Sequence, residues 1–464
     1  MTQTPSDATH DFSHLALDPA LHTNLASLGY HQMTPIQAQS LPVMLAGQDV
    51  IAQAQTGSGK TAAFALGVLN KLRPEHYAVQ ALILCPTREL ADQVAQETRR
   101  LARTLTNIKV LTLCGGTPIG PQIGSLEHGA HIVVGTPGRI DDHLRKGTLR
   151  LDAVHTFVLD EADRMLDMGF QEVLDGIVGY LPEQRQNLLF SATYPEQIQQ
   201  IAERIMQAPV RVKVDADTRR DIDQRFCLLE GVARTDAVHR WLLQERPDAT
   251  LVFCTTKKET DELATYLQAQ GLDSLALHGD LDQRERDKTL AMFANKSASV
   301  LVATDVAARG LDIEAVNLVI NVHLAKEPAV HVHRVGRTGR AGASGAAITL
   351  FEERERFKLE RLRELLPEEP VEVAPPDASI LKTSGFKAPM VTVEIEGGKK
   401  QKLRPGDILG ALTAKDGLAG SDVGKIQLQD HRAYVAVKRA LARDALNLIN
   451  NGKMKGRKFR ARKA

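Results

Sequence analysis

Short apolar runs alternate with amphipathic helical stretches in two long parts of the chain, residues 41–214 and 249–350. Each run is bounded by turn signals and is typical of a buried strand. The alternation predicts two doubly wound α/β domains in tandem, because parallel sheets are covered by helices on both faces. The polar stretch 215–223 is predicted to join them. The predicted strands are residues 50–52, 81–85, 110–113, 132–134, 156–159 and 188–190, then 251–254, 274–277, 300–303, 318–320 and 346–349.

The length of 464 residues is too great for one hydrophobic core and suits about three domains. We expect the first α/β domain over residues 1–214, including an amino-terminal motif at 12–40, and the second over 215–366. The segment 367–384 is rich in proline and acidic residues, which predicts an extended linker. Residues 385–464 follow the order β-α-β-β-α-β, which predicts a ferredoxin-like α+β module.

The charge of the chain is strongly polarised. Residues 385–464 hold 18 Lys or Arg and 7 Asp or Glu, a net of +11, although the whole chain has a net charge of +1. The first 384 residues therefore carry a net of −10. A basic surface supplies sequence-independent affinity for a phosphate backbone. The alternative explanation of such a charge run is a solvated face without a partner.

Cysteine spacing and hydropathy exclude several classes of protein. The four cysteines are widely separated and form no C-x-x-C pair, which argues against structural zinc and a disulfide framework. An apolar run of about 18 residues, the length needed to span a bilayer, is absent from the sequence. We therefore expect a cytoplasmic protein without a membrane partner, and we expect a monomer.

Residues 54–61, with the sequence AQTGSGKT, lie between a predicted strand and a predicted helix, as a phosphate-binding loop requires. Glycines allow the backbone N–H groups to surround phosphate oxygens, and Lys60 can reach the terminal phosphates of a nucleotide. The Thr61 hydroxyl can bind Mg²⁺. Ala54 stands where the general pattern has its first glycine. The residues predicted to bind nucleotide here are Thr56, Gly57, Ser58, Gly59, Lys60 and Thr61.

Four residues, Asp-Glu-Ala-Asp, follow directly after the predicted strand 156–159. A carboxylate at the carboxyl end of a neighbouring strand is where a phosphate-loop protein holds its metal, so Asp160 is the expected Mg²⁺ ligand. Glu161 is then placed to orient and deprotonate the attacking water. Alone, such a run would also suit the first turn of a helix.

Further motifs appear in a fixed order between residue 12 and about residue 350. The complete series is similar to the DEAD-box family of RNA helicases. Besides the two motifs above, it consists of Phe12, residues 34–37 (TPIQ), 86–90 (PTREL), 115–116 (GG), 136–139 (TPGR), 191–193 (SAT), 278–280 (HGD), Gln283, Arg286, 303–305 (ATD), 309–312 (RGLD) and 333–340 (HRVGRTGR).

The resemblance implies two RecA-like domains that bind ATP and Mg²⁺. It implies that Phe12 stacks on adenine, that Gln37 recognises the adenine edge, and that Asp312 binds the ribose. Arg337 and Arg340 resemble arginine fingers, which stabilise the charge of the transferred phosphoryl group. Ser191 and Thr193 resemble the motif that couples hydrolysis to strand separation; otherwise such a pair is a helix cap.

The resemblance also implies a set of contacts to RNA phosphates and sugars. Contacts of this type carry no sequence information, so we expect the helicase domains to accept any RNA sequence. His331 stands where the family often has an aromatic residue, which puts a stacking role there in doubt. The positions that match the RNA contacts are Pro86, Thr87, Arg88, Gly116, Thr136, Arg139, Thr255, Gln283, Arg286 and Thr304.

Residues 385–464 resemble an RNA-recognition-motif fold, and most closely the RNA-binding domain of those bacterial DEAD-box helicases that act on a hairpin of large-subunit (23S) ribosomal RNA. The similarity is carried by residues 397–400, 404–412 and 434–437. Alternation along the strand that contains Tyr434 places Ala433, Val435 and Val437 inward and leaves one outward aromatic, so basic side chains should dominate the RNA contacts. The predicted contacts are Lys399, Lys400, Arg404, Arg432 and Tyr434.

These observations predict an ATP-dependent RNA helicase that locally unwinds short duplexes. By resemblance, its partners are a large-subunit rRNA hairpin and pre-ribosomal large-subunit particles, and its role is assembly of that subunit. An alternative is an ATP-gated RNA clamp or scaffold in which hydrolysis only times release. A DNA translocase is disfavoured because the motif series resembles the RNA branch.

Overall fold

The computed structural model describes residues 10–54, 57–214, 222–308, 316–339, 345–363, 366, 369–414 and 417–464. These residues form two compact units, the first within residues 10–214 and the second from residue 222 to the end of the chain. Across the described ranges, no helix is long and apolar enough to cross a membrane.

The first unit is a doubly wound domain with a seven-stranded parallel sheet, as predicted. The strand order is β3-β4-β2-β5-β6-β1-β7. Its strands are β1 (Val50–Gln53), β2 (Ala81–Leu84), β3 (Val110–Leu113), β4 (Ile132–Gly135), β5 (Thr156–Asp160), β6 (Gln186–Ser191) and β7 (Val210–Lys213). Its helices are α1 (Pro19–Ser27), α2 (Pro35–Leu45), α3 (Lys60–Leu69), α4 (Arg88–Leu101), α5 (Gly120–Glu127), α6 (Pro137–Arg145), α7 (Ala162–Asp167), α8 (Gln171–Val178) and α9 (Glu196–Ile205).

Both faces of this sheet are buried, which explains the unbroken apolar runs of its inner strands. In β2, Ala81 and Ile83 belong to one hydrophobic cluster, and Leu82 and Leu84 belong to the other. All four side chains are inaccessible to solvent. Helices therefore cover both sides, as the alternation in the sequence requires.

The second unit contains a similar seven-stranded parallel sheet in the order β10-β11-β9-β12-β13-β8-β14. Its strands are β8 (Ile222–Leu228), β9 (Thr250–Cys254), β10 (Ser274–Leu277), β11 (Val300–Thr304), β12 (Leu318–Asn321), β13 (Gly345–Phe351) and β14 (Val371–Val373). Its helices are α10 (Arg234–Glu245), α11 (Lys257–Ala269), α12 (Gln283–Ala294), α13 (Asp305–Ala308), α14 (Pro328–Val335) and α15 (Arg356–Arg363).

The carboxy-terminal module of the second unit has the predicted β-α-β-β-α-β order. Its antiparallel sheet has the order β16-β17-β15-β18, and Val393, Ile395 and Val435 lie in its core. The elements are β15 (Met390–Ile395), α16 (Pro405–Leu412), β16 (Val423–Leu428), β17 (Ala433–Lys438), α17 (Ala442–Asn451) and β18 (Ala461–Lys463).

The segment predicted to be an extended linker is instead largely attached to the second α/β domain. Strand β14 pairs with β8 at the edge of the parallel sheet. Arg240 donates to the Pro376 carbonyl (3.2 Å) and Arg246 to the Ser384 carbonyl (3.0 Å). An edge strand tolerates the neighbouring prolines, since one of its sides needs no ladder hydrogen bonds. The prediction of an extended linker over residues 367–384 did not include these contacts with the second α/β domain.

The module docks on the second α/β domain through one face of its sheet. Helix α12 packs against β15 and β17. The Thr392 hydroxyl is hydrogen-bonded to Ser297 (2.6 Å) and Asn295 (3.2 Å), and all three side chains are buried. At the edge of the contact, Arg439 forms an ion pair with Asp273 (2.5 Å). This docking determines which surfaces of the module are open to RNA.

Candidate nucleotide and RNA sites

The phosphate-binding loop connects β1 to α3 and has the geometry that its glycines predict. Gly57 and Gly59 have φ of +81° and +92°, a region that favours glycine. A Cβ on Gly59 would lie 2.6 Å from the Gln37 side-chain nitrogen. The buried Lys60 ammonium donates to the Ala54 carbonyl at 2.7 Å, which holds it inside the turn. Thr56 lies outside the described residues.

Gln37 contacts the phosphate loop directly. Its side-chain oxygen accepts from the Thr34 amide (2.8 Å), and its nitrogen donates to the Gly59 carbonyl (3.1 Å). An amide oxygen can accept two hydrogen bonds and an amide NH₂ can donate two. The Gln37 oxygen can therefore accept one more, and its nitrogen can donate one more. Phe12 is buried and meets Tyr30 edge-to-face at 6.2 Å between ring centroids. Its stacking on adenine stays a prediction.

Asp160 ends β5 as a buried carboxylate, 3% exposed. Burial raises its pKa to about 7, against the opposing effect of the nearby Lys60 ammonium. Its Oδ1 has no hydrogen-bond partner within the described part of the chain. A buried carboxylate oxygen without a partner is costly unless a cation satisfies it, so the residue fits the Mg²⁺ ligand that the sequence predicts.

Glu161 lies between β5 and α7 in the left-handed region, with φ of +54°. This conformation is uncommon for residues other than glycine, and strained backbone positions cluster at functional sites. Its Oε2 accepts from Arg164 at 2.7 Å, and both side chains are buried. Arg164 therefore orients the predicted general base, a function that the sequence interpretation did not assign to it.

Asp163 connects the acidic motif to the Ser-Ala-Thr motif. Its Oδ2 accepts from both the backbone amide (2.9 Å) and the hydroxyl (2.8 Å) of Thr193. The Ser191 hydroxyl donates to the Thr193 carbonyl at 2.6 Å. Sequence reasoning missed this function of Asp163, although its position in the same acidic motif as Asp160 was a usable signal.

The strand order divides the carboxyl edge of the first sheet into two halves. The phosphate loop, the acidic motif and the Ser-Ala-Thr motif follow β1, β5 and β6, which are neighbours. The candidate RNA contacts follow β2, β4 and β3, the other neighbouring set. The topology therefore gathers the predicted nucleotide residues on one side and the predicted RNA residues on the other.

The RNA half is rich in backbone and guanidinium donors. Thr87 and Thr136 are the amino-terminal caps of α4 and α6, and helix amino termini favour phosphate. Arg139 donates to the Thr117 carbonyl at 2.9 Å. The Nη1 atoms of Arg88 and Arg139 are buried and have no hydrogen-bond acceptor among the described residues. Pro86 follows β2, and Gly116, with φ of +74°, follows β3.

The second α/β domain repeats this arrangement. Thr255 follows β9, and Thr304 ends β11. Helix α12 follows β10 and begins at Gln283. The strands β10, β11 and β9 are consecutive in the sheet. Gln283 donates to Asp287 at 2.7 Å, and Arg286 donates to the Ala307 carbonyl at 2.7 Å. The structure thus brings the predicted RNA residues of this domain to one edge as well.

The last helicase motif lies on and after α14. Arg337 is 5% exposed, whereas Arg340 and Asp312 lie outside the described residues. Arg334, to which the sequence interpretation gave no role, makes a bidentate ion pair with Asp305 (both bonds 2.7 Å). This pair fixes α14 to the first residue of α13, directly after β11, and so helps to position Arg337, three residues after Arg334.

His331, which stands where the family often has an aromatic residue, makes a ring contact inside the second α/β domain. Its ring stacks on Phe226 at 5.8 Å with an interplanar angle of 21°, and its Nε2 lies 3.2 Å from the Gln224 side-chain oxygen. Burial lowers the pKa of His331 to about 4. The imidazole is therefore neutral near pH 7 and belongs to the domain core.

Tyr434 corrects one prediction for the carboxy-terminal module. Alternation correctly separates Val435 from Tyr434, but the outer face is covered by α12, and Tyr434 is inaccessible to solvent. Arg432, on the same face, pairs with Glu394, which is 1% exposed. In this docked arrangement Tyr434 cannot stack on a base, because the packed helix occupies the place where RNA would lie.

The other predicted contacts of the module are exposed along one edge, which we call the basic edge. Lys399, Lys400 and Arg404 are exposed there. The Lys455 ammonium donates to the Lys402 carbonyl (2.6 Å) and pairs with Asp407 (3.2 Å), which joins two basic segments of the sequence. The residues of the basic edge are Lys399, Lys400, Lys402, Arg404 and Lys455.

Comparison with known proteins agrees with this architecture. Residues 34–201 match the DEAD/DEAH box helicase family, residues 233–342 the helicase conserved C-terminal domain, and residues 392–463 the DbpA RNA binding domain. The three matches fall on the first α/β domain, the second α/β domain and the carboxy-terminal module, respectively.

Similar proteins cover most of the chain. It is 51% identical to the ATP-dependent RNA helicase DbpA of Escherichia coli (strain K12) over 447 residues, 96% of this chain and 97% of that protein. It is 44% identical to the DEAD-box ATP-dependent RNA helicase CshA of Geobacillus kaustophilus (strain HTA426) over 367 residues, 79% of this chain and 78% of that protein. The structure of S. cerevisiae Dbp5 bound to RNA and ADP BeF3 matches with a TM-score of 0.71 and 30% identity, over 80% of this chain and all of that chain.

These similarities confirm the resemblance of the motif series to DEAD-box helicases and that of residues 385–464 to the RNA-binding domain of bacterial members of the family. They also confirm that the protein is an enzyme with RNA helicase and ATPase activity. The chain belongs to the DEAD-box family of ATP-dependent RNA helicases and carries a carboxy-terminal RNA-binding domain of the DbpA type.

Proposed function

We propose that this helicase locally opens short duplexes in large-subunit (23S) rRNA during assembly of the large ribosomal subunit. We further propose that it acts as a cytoplasmic monomer and that its carboxy-terminal module directs it to an rRNA hairpin. The observation that carries the proposal is the exposed basic edge on a module that is docked to a helicase domain. The similarity of this module to the DbpA RNA binding domain supports the choice of RNA as the partner.

In the nucleotide half of the first sheet, the surroundings of Lys60, Asp160 and Glu161 support a task for each of them. Lys60 exchanges the Ala54 carbonyl for phosphate oxygens when ATP binds. Asp160 and Thr61 would hold Mg²⁺, which when bound neutralises charge on the phosphates. Glu161, oriented by Arg164, accepts the proton of the attacking water.

We propose that Asp163 transmits the state of the nucleotide to the rest of the first domain. It lies two residues after Glu161 and holds Thr193 by two hydrogen bonds. A displacement of the acidic motif on hydrolysis therefore moves the Ser-Ala-Thr motif, whose Ser191 ends β6. The hydrogen bonds between Asp163 and Thr193 would thus couple ATP hydrolysis to strand separation.

The predicted arginine fingers lie on a different domain from the phosphate loop. Arg337 follows α14 of the second α/β domain, and the resemblance assigns Arg340 the same function. We therefore propose that turnover requires both α/β domains. RNA and ATP each favour the arrangement in which the fingers act, so each increases the affinity for the other.

Targeting would follow from the basic edge. Lysine and arginine side chains there neutralise phosphates of a folded hairpin, and the docked module keeps that RNA near the helicase domains. Holding the substrate in this way raises its effective concentration without a new contact at the site of unwinding. The helicase domains would then act on neighbouring duplexes of any sequence, since their contacts go to the backbone.

The proposal is tested by measuring RNA-stimulated ATPase with 23S rRNA fragments and with random RNA of equal length. K399E/K400E should abolish the preference for rRNA, because it reverses two charges of the basic edge, and should leave stimulation by random RNA unchanged within a few fold. The matched control is K258E/K382E, which makes the same charge change at two exposed lysines outside the module. An undiminished preference in K399E/K400E would contradict targeting through this edge.

A further inference from the structure

The docked sheet face of the module brings four cationic side chains together with α12. Arg432 and Arg462 both pair with the buried carboxylate of Glu394. Arg284 and Lys288 are one turn apart on α12, and Lys288 interacts electrostatically with Arg284, Arg432 and Arg462. We call Arg284, Lys288, Arg432 and Arg462 the junction cluster.

The junction cluster carries more positive charge than the nearby acids balance. Glu394 accepts from both module arginines. Asp287, a carboxylate on α12, accepts from Gln283 and interacts with Tyr434. Glu394 thus pairs with both module arginines, whereas Arg284 and Lys288 have no carboxylate within ion-pair distance in the described part of the chain. Burial and then repulsion by the surrounding arginines lower the pKa of Lys288.

The cluster remains open to solvent on one side. Arg284 is exposed, the Arg462 side chain is 53% exposed, and Lys288 is half-buried. Like charges repel when brought together, and an anion that bound there would relieve this repulsion. An anionic ligand can therefore reach the cluster without disturbing the docked module.

The position of the cluster identifies the kind of anion. Gln283 and Arg286, two of the proposed RNA backbone contacts, lie in the first turn of α12. Arg284 lies between them in sequence, and Lys288 is one turn further along the same helix. An RNA strand held by the first turn therefore leaves the helicase domain within reach of the cluster.

We propose that the junction cluster binds the phosphate backbone of RNA that continues from the segment held by α12, and so forms a path from the helicase domain to the module. The inference rests on the proposed function, since it needs Gln283 and Arg286 to hold RNA. The contacts are ionic and go to phosphates, so the site accepts any RNA sequence.

The test measures binding of the full chain to oligouridylate, which contains no hairpin. One oligomer of about 6 nucleotides covers a single site, and one of about 18 can reach the cluster as well. R284Q/K288Q removes two charges of the cluster and keeps the Glu394 ion pairs intact. K258Q/K382Q is the matched control, and R284K/K288R keeps the charges. Affinity is measured as a function of salt for all four proteins.

For the long oligomer, we expect R284Q/K288Q to make the negative slope of log affinity against log salt shallower by about 1.4. Each of the two lost phosphate contacts on a single strand contributes about 0.7. The affinity gap between the long and the short oligomer should shrink, and R284K/K288R and K258Q/K382Q should both keep it. The melting temperature of R284Q/K288Q should not fall, because the change relieves repulsion. An unchanged slope, or an equal loss in R284K/K288R, would overturn the inference. Failure of the parent to bind either oligomer would instead contradict the proposed function.

Discussion

Replacing Thr392 with valine tests how firmly the carboxy-terminal module is held on the second α/β domain. The Thr392 hydroxyl is the buried centre of the contact, where it is hydrogen-bonded to Ser297 and Asn295. Valine keeps the shape of the side chain and removes the hydroxyl. Two buried polar groups then lose their partner without a cavity being created, so the change isolates the hydrogen bonds.

The expected loss follows from these two bonds. A buried neutral group left without a hydrogen bond costs about 1–2 kcal/mol, so T392V should weaken docking by about 2–4 kcal/mol. A factor of ten in an equilibrium constant corresponds to about 1.4 kcal/mol, and the undocked population should therefore increase about 30- to 1000-fold. The fold of the module itself should persist, because Thr392 faces away from the core that contains Val393 and Val435.

Hydrogen exchange of residues 386–390 reports this population. The Ala388 amide donates to Asp273 (2.8 Å) and the Met390 amide to the Lys296 carbonyl (3.3 Å), so both bonds break on undocking. Hydrogen exchange of the Ala388 and Met390 amides should therefore accelerate about 30- to 1000-fold. Exchange of the β17 amides should change much less. Thr413→Val is the control, since its exposed hydroxyl bonds only the Leu409 carbonyl within the described ranges. Acceleration of T392V no greater than that of T413V would refute the reasoning.

Three further predictions concern the helicase domains. Glu161→Gln should bind ATP but stop turnover, because the amide cannot accept the proton of the attacking water; near-parent ATPase activity would show that another group is the base. Arg337→Ala should lower ATPase activity by about 10³–10⁵, and Arg337→Lys should recover little of it; full recovery with Lys would argue against a finger. His331, with its pKa lowered to about 4 in the folded chain, stays neutral while the unfolded chain takes up a proton below about pH 6.5, so stability should fall by about 2–3 kcal/mol between pH 7 and about 4.5. His331→Phe should flatten that part of a pH-dependent denaturation curve; an unchanged slope would show that another group is responsible.

The location of the proposed nucleotide residues at one edge of the sheet could be predicted because their motifs are local in sequence. Residues 54–61 and 160–163 each follow a buried apolar strand, and the carboxyl ends of parallel strands meet at one edge of the sheet. The strand order supplied what the sequence lacked, which is the separation of this edge into a nucleotide half and an RNA half. No pattern along the chain specifies that β5, β6 and β1 are neighbours.

Contacts between distant segments were the main source of error. The alternation in β17 correctly placed Val435 in the core, but it could not show that α12, about 150 residues earlier in the chain, covers Tyr434. Thr193 was identified without its partner Asp163 for the same reason. Periodicity describes which residues share a face, and only the tertiary structure shows what that face meets.

Edge strands were missed because they do not have to be apolar. Strand β7 reads Val-Arg-Val-Lys, and only Val212 of its four side chains is fully buried. Strand β14 reads Val-Glu-Val beside a proline-rich stretch and has no fully buried residue. An edge strand buries less side-chain surface than a central strand, and it can carry charges that discourage pairing with other chains. The composition of an edge strand can therefore resemble that of a linker.

The docked module changes how targeting would act in this helicase. A flexible tether would raise the local concentration of RNA around the helicase domains without fixing its direction. Here the hydrogen bonds of Thr392 and the Asp273–Arg439 ion pair hold the module on the domain whose helix α12 carries Gln283 and Arg286. RNA bound at the basic edge would therefore stand in a fixed position relative to α12. Under the proposed function, docking would select which neighbouring duplex the helicase domains can reach, and specificity would arise from geometry that backbone contacts cannot supply.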